Sequence, residues 1–164
     1  MKKSDWKFSK KSMDMLNTVH PDLKNFFMEL LPLLPYDLKI TCGARTAEEQ
    51  HKIYMETREV INGKIVGKID TKTKRPMSHK TNCDGYEKLS NHQVRTDGYG
   101  YAVDIGIYIG KNLTWKAKYF GIVYGIAWSS GLLDKYGIEW GGIWKNFEDM
   151  PHFQKAGVRV PFKK

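Results

Sequence analysis

Three short polar segments carry residue types suited to hydrolytic chemistry: Ser90-Asn91-His92, Gly100-Tyr101-Ala102-Val103-Asp104 and Asp149-Met150-Pro151-His152. Together they supply two imidazoles and a carboxylate for a zinc ion, and one further carboxylate to move a proton. Three protein ligands leave a tetrahedral zinc with an open fourth position, the arrangement that separates catalytic zinc from closed structural zinc. Taken singly, His92 reads as a loop histidine and Asp104 as a hydrogen-bonded strand residue; only their joint occurrence favours a site. Ser90 lies two residues from His92, a spacing poorly suited to a Ser–His nucleophile, and no nucleophile-elbow motif is present, so its expected task is support.

The elements that must position these segments follow from periodicity and caps. Ser9 is placed to cap a short helix with Met13 and Leu16 on its apolar face. His20-Pro21-Asp22 marks the start of a second helix, with Leu23, Phe26, Phe27, Leu30, Leu31 and Leu34 as its stripe and Pro32 and Pro35 as its end. Leu38 to Cys42 alternates as a strand, Gly43 permits a turn, and Thr46-Ala47-Glu48-Glu49 has the form of a capping box opening a helix to about Glu56. Arg45 therefore falls between strand and helix.

From Asn62-Gly63 to about Leu89, Lys, Thr, Asn, Asp and Gly dominate, which predicts a turn followed by a long, mobile loop. Tyr99 to Ile109 returns to strand alternation with Asp104 as its odd carboxylate. Leu113 to Leu133 carries a helical stripe of Trp115, Tyr119, Ile122, Val123, Ile126 and Ala127, capped by Thr114 and stopped near Gly131. Gly137 to Trp140 and His152 to Gln154 read as short strands. The expected class is α+β, with helices around a small, mostly antiparallel sheet.

At 164 residues the chain fits a single catalytic domain spanning 1–164. Apolar residues make up 41% and charged residues 27%, which argues against disorder and membrane spanning. The net charge of +9 favours polyanionic surroundings, whether nucleic acid, anionic lipid or envelope polymer. Met1 to Lys11 is basic, but no apolar run of about 7–15 residues follows, so no secretory signal is expected. Phe26 to Leu34 is interrupted by Glu29 and Pro32 and falls short of the roughly 20 residues of a membrane span, so no membrane anchor is expected. Cys42 and Cys83 make neither a disulfide framework nor a zinc ribbon, and reduced thiols are expected.

The ordered elements Ser-x-His, Gly-x-Ala-x-Asp and Asp-x-Pro-His resemble the phage and bacterial zinc peptidases that cut peptidoglycan stem peptides, the D-alanyl-D-alanine metallopeptidase and L-alanyl-D-glutamate endopeptidase group. Further segments share the resemblance: Phe8 to Ser12, Val19 to Leu23, Gly43 to Gln50 and Trp140 to Trp144. It implies a fold of the D-alanyl-D-alanine metallopeptidase or hedgehog-like type. It also implies Zn²⁺ held by His92, Asp104 and His152, with Asp149 as general base. Pro151 stiffens the link between Asp149 and His152. Arg45 matches the family arginine that contacts substrate, where its forked donors suit a carboxylate or an oxyanion; a simple pairing with Glu48 or Glu49 is the plainer alternative.

By the same resemblance the expected activity is an endolysin's, cleaving the L-alanyl-D-glutamate bond during host lysis. D-alanyl-D-alanine carboxypeptidase activity and a noncatalytic zinc-fold binding protein are the alternatives. The expected partners are peptidoglycan and anionic envelope polymers rather than nucleic acid, and a monomer is expected, without a separate wall-binding domain. Synthesis in the host cytoplasm and action on the wall after membrane permeabilisation complete the expectation. One departure stands out: the link between His92 and Asp104 is longer than the family's His-x-x-Gly-x-Ala-x-Asp run, which makes Asp97 a rival ligand. Asp104 is preferred because Asp97-Gly98 reads as a turn pair. Glu148 is a rival base, and His79 is the reserve imidazole ahead of His20 and His51.

Overall fold

A computed structural model describes residues 4–163. Helix α1 (Lys10–Leu16) starts where Ser9 Oγ accepts the Ser12 N–H, and α2 (Pro21–Leu30) starts where His20 Nδ1 accepts the Asp22 N–H. Leu30 ends the α-helix, and Pro32 sits in a single 3₁₀ turn, Leu31–Leu33, where the helical bonding pattern has already tightened. Strand β1 (Asp37–Cys42) leads to α3 (Ala47–Met55), which opens with the full capping box: Thr46 Oγ1 accepts from the Glu49 N–H while the Glu49 carboxylate accepts from the Thr46 N–H.

Five strands make the main sheet, in the order β1, β4 (Ala102–Ile109), β7 (His152–Lys155), β6 (Ile138–Trp140), with β5 (Asn112–Thr114) also paired to β4. Every pairing within it is antiparallel. Helix α2 lays Leu23, Phe26, Phe27 and Leu30 onto it, meeting Ile105 and Ile107 of β4 and Phe153 of β7 in one fully buried cluster. Each such side chain contributes about 1.5–3 kcal/mol of transfer free energy. Among the described residues no helix is long and apolar enough to cross a membrane.

Two expectations change. The helix expected over Leu113–Leu133 is three elements: β5, α4 (Ala117–Ser129) and α5 (Leu132–Tyr136). Gly110, at φ +61°, reverses the chain after β4, so residues 112–114 join the ladder before a helix starts. The missing Cβ at Gly106 then leaves room for Leu113. Gly131, at φ +73°, separates the two helices. The buried face of α4 is Phe120, Val123 and Ala127, whereas Trp115 and Ile122 are exposed.

The segment expected as a turn and mobile loop begins with a β-hairpin, β2 (Arg58–Ile61) and β3 (Lys64–Gly67), closed by Asn62-Gly63 with both residues at positive φ. Its continuation is irregular but tethered. Gln50 donates to Thr81 Oγ1 and the Cys83 carbonyl, Arg58 donates to the Thr81 carbonyl, and His51 Nδ1 meets the Asp84 carbonyl at 2.9 Å.

Candidate metal centre

Strand β4 is the organising element. Its Asp104 stands opposite Cys42 of β1 on one side and His152 of β7 on the other, and directly paired residues project to the same face of a sheet. A bulge between Ile40 and Cys42 shifts the β1 register, so that Cys42 rather than Thr41 faces Asp104. His92 arrives from a loop pinned beside the turn after β1: the Arg45 N–H donates to the His92 carbonyl at 2.8 Å, and the Val94 N–H donates to the Arg45 carbonyl at 3.1 Å. Gly100 lets the chain return, since a Cβ there would lie 2.8 Å from Ala44 Cβ and 2.9 Å from the His92 carbonyl oxygen.

Three donor atoms converge. His92 Nε2 and His152 Nδ1 each lie 3.1 Å from Asp104 Oδ1, and 3.3 Å from each other. A tetrahedral zinc with bonds of about 2.1 Å holds its ligand atoms roughly 3.4 Å apart, so the triangle has the right size. The remaining ring nitrogens are oriented from outside. His92 Nδ1 lies 2.8 Å from the Gly43 carbonyl and His152 Nε2 lies 3.1 Å from Gln154 Oε1, acceptors that put the proton there and turn the other nitrogen inward. Asn91 donates to the same Gln154 oxygen at 2.7 Å, fixing the amide. Two imidazoles and a carboxylate with this outer support fit a zinc ion.

A second donor set, Cys42, His92 and Asp104, also lies within ligating reach. Cys42 Sγ is on the Nδ1 side of the His92 ring, 3.6 Å away, where the nitrogen is already committed to Gly43, and it accepts from Arg45 Nε at 3.0 Å. The set completed by His152 is therefore the better one.

The electrostatics are strongly coupled. Burial works against charge on the His92 imidazole, but the Asp104 carboxylate beside it prevails and the pKa is pushed up to about 10. Burial likewise opposes the charged Asp104 carboxylate, yet His92 and His152 hold it well below the usual carboxylate range. Asp149 is shifted the other way: burial raises its pKa, partly offset by His152. The Asp149 N–H donates to the Gly141 carbonyl at 3.0 Å, and the His152 N–H donates to the Asp149 carbonyl at 3.1 Å. This tight turn delivers Asp149 to the same cleft as His152.

That cleft has a volume of about 570 Å³ and is lined by Arg45, His92, Asp104, Asp149 and His152 together with Trp144, whose ring centroid is 5.2 Å from that of His152. All five residues singled out in the sequence thus share one cavity. Arg45 pairs with Asp104, at 3.3 Å, rather than with Glu48 or Glu49, and donates to Gln50 Oε1 at 2.9 Å. Ser90 Oγ accepts the His92 N–H at 3.3 Å.

The rivals lie elsewhere. Asp97 accepts from the Tyr101 hydroxyl at 2.5 Å, in an exposed turn, and the additional residues of the long link dock against the C-terminal segment through an Arg95–Phe162 bridge. Glu148 is exposed. His20 caps α2, His51 holds Asp84, and His79 Nδ1 meets Thr57 Oγ1 at 3.2 Å. Sequence reasoning passed over Gln154, Cys42 and Gln50. Gln154 had a signal, since it is two residues from His152 on a strand and so shares its face. Gln50, fully buried on a polar helix, had none.

Two comparisons bear on this arrangement. Residues 84–155, the stretch containing His92, Asp104, Asp149 and His152, match the family model described as D-alanyl-D-alanine carboxypeptidase. The fold is similar to the crystal structure of the Serratia marcescens L-Ala D-Glu endopeptidase ChiX, at a TM-score of 0.62 and 20% identity over 93% of this chain and 92% of that one. The fold is of the D-alanyl-D-alanine metallopeptidase type. Family model and site together support a peptidase.

Proposed function

We propose that this chain is a zinc-dependent peptidoglycan endopeptidase that hydrolyses the stem peptide at the L-alanyl-D-glutamate bond, working as an endolysin in host cell lysis. One observation carries the reading: His92 Nε2, Asp104 Oδ1 and His152 Nδ1 meet within 3.3 Å on the wall of a cleft that also receives Asp149. The fold shared with an L-Ala D-Glu endopeptidase supports the choice of bond. The domain is 1–164, acting as a monomer on the wall and its anionic polymers after synthesis in the host cytoplasm and permeabilisation of the membrane.

His92, Asp104 and His152 would hold the zinc, whose Lewis acidity would polarise a peptide carbonyl and make water a stronger acid. Asp149 accepts the proton of the attacking water and returns it to the departing nitrogen. In the metal-free site burial raises its pKa, and a base that must later act as an acid works best with a pKa near the operating pH. Arg45 spends one N–H on each of Cys42, Gln50 and Asp104, which leaves two of its five donors to hold a substrate carboxylate or carbonyl oxygen.

The description of the matched family favours a second reading, D-alanyl-D-alanine carboxypeptidase activity. Mass spectrometry of digested muropeptides, with and without a chelator, separates the two. A new D-glutamate amino terminus that disappears on chelation supports the endopeptidase. Free D-alanine supports the carboxypeptidase, and digestion unaffected by chelation overturns both.

A further inference from the structure

The residues that lengthen the link between His92 and Asp104 carry a buried guanidinium. Arg95 is 5% exposed, and its guanidinium carbon lies 4.9 Å from the centroid of the Tyr101 ring and 4.0 Å from that of Phe162. The backbone on either side is tied to the C-terminal segment: the Thr96 N–H donates to the Pro161 carbonyl at 2.9 Å, and the Lys163 N–H donates to the Val94 carbonyl at 3.2 Å. Arg95 Nη1 donates to the Val160 carbonyl at 2.7 Å and Nη2 to Asn91 Oδ1 at 2.5 Å. Its Nε finds no acceptor among the described residues, and a buried donor left unpaired costs stability. An apolar side chain would fill the same slot beside the two rings without that cost. Only a donor serves Asn91.

Asn91 joins this guanidinium to the metal centre. Its Nδ2 donates to Gln154 Oε1 at 2.7 Å, the oxygen that also lies 3.1 Å from His152 Nε2, and Gln154 Nε2 donates to the Glu139 carboxylate at 3.2 Å. A side-chain amide can be turned end for end at little cost in shape, so the direction of such a chain is set by its ends. Here both ends are unambiguous, because a guanidinium only donates and a carboxylate only accepts. Arg95 draws the Asn91 oxygen toward itself and so turns Nδ2 to Gln154. Asn91 and Glu139 together then turn the Gln154 oxygen to His152. An oxygen at that position calls for a proton on Nε2, which leaves the lone pair on Nδ1, 3.3 Å from His92 Nε2 and 3.1 Å from Asp104 Oδ1. Reversing either amide would present an N–H to Nε2 and move the proton to the nitrogen that must bind the ion.

We propose that Arg95 is a positioning residue for the metal centre: through Asn91 and Gln154 it sets the His152 tautomer that receives the cation, and it thereby couples the C-terminal segment to zinc affinity. This role rests on the zinc site proposed above.

Zinc affinity of the full chain, measured by competition with a chelator, tests it in a double-mutant cycle of Arg95→Met and Gln154→Leu. Methionine keeps an unbranched side chain beside the two rings and removes the donors. Arg95→Met alone should weaken zinc binding about tenfold, and in the Gln154→Leu background it should change it by less than about twofold, because the carrier of the effect is gone. A loss that repeats in full in the Gln154→Leu background marks general loosening of the site and overturns the role. So does parental affinity in a folded Arg95→Met. If Arg95→Met unfolds by circular dichroism, Asn91→Asp takes its place: it keeps the size and the bond to Arg95 but has no N–H for Gln154. Its added negative charge by itself favours a cation, so a loss of about threefold or more supports the relay, and unchanged or tighter binding overturns it. A parent that binds no zinc overturns the metal site and this role together.

Discussion

Asp104 and His152 face each other across the β4–β7 ladder, with Asp104 Oδ1 3.1 Å from His152 Nδ1. The same oxygen is 3.1 Å from His92 Nε2, so one carboxylate oxygen serves two imidazoles drawn from a loop and a strand. Gly43 and Gln154 orient the two rings from behind.

Removing an orienting acceptor should loosen the ion without removing a ligand. Gln154→Leu is expected to weaken zinc binding by about 10–100-fold, in line with the loss of an outer hydrogen bond to a ligand histidine. Titration against a chromophoric chelator measures it, and parent-like affinity would show that Gln154 does not set the His152 tautomer.

Asp149→Asn should separate binding from chemistry. The variant is expected to keep its zinc content and melting behaviour while turnover of muropeptides falls by about 10²–10⁴-fold, the range for a lost general base. Turnover near the parent's would remove Asp149 from the reaction.

The metal-free protein should show a distinctive pH profile. His92 rises from its ordinary 6.5 to about 10, so the stability it contributes is fully present below pH 6.5 and is lost as the pH climbs toward 10. Asp104 is depressed below its ordinary 3.8, so its contribution is present above that pH and is lost on acidification. Melting temperatures in chelator should therefore decline from about pH 6.5 to 10, and Asp104→Asn should flatten that slope. An unchanged slope in the variant would refute the pairing.

Gly141 is a packing requirement of the site. A Cβ there would lie 2.6 Å from the Asp149 carbonyl oxygen and 3.2 Å from His152 Cβ, so Gly141→Ala must push the Asp149–His152 turn outward. A loss of about 1–3 kcal/mol in denaturant unfolding is expected, together with reduced turnover. Wild-type values for both would show that the turn yields freely.

Much of the frame was readable because its signals are local. The Ser9 cap, the Pro21 start of α2, the Thr46 capping box and the strand at His152 involve atoms within a few residues of one another. The hairpin strands went unread although the Asn62-Gly63 turn was recognised: with both faces in water, apolar residues do not alternate, and period-2 patterning arises only when one face is buried. The helix expected from Leu113 began late because pairing of residues 112–114 with β4, a tertiary bond set, outweighed local helical patterning.

The chain of residues alone determined which groups are available: two imidazoles and two carboxylates in an order that resembles a peptidase family, mounted on elements whose ends are written in caps and turns. Only the tertiary structure decided which atoms meet. The bulge in β1 brings Cys42 opposite Asp104, the β4–β7 register brings Asp104 to His152, and the Gly43 carbonyl and the Gln154 amide select the inward nitrogen of each ring. Those choices depend on strand pairing and close packing between residues far apart in the chain, such as His92 and His152, 60 positions apart. Local propensity acts over one or two turns of backbone and does not reach that far.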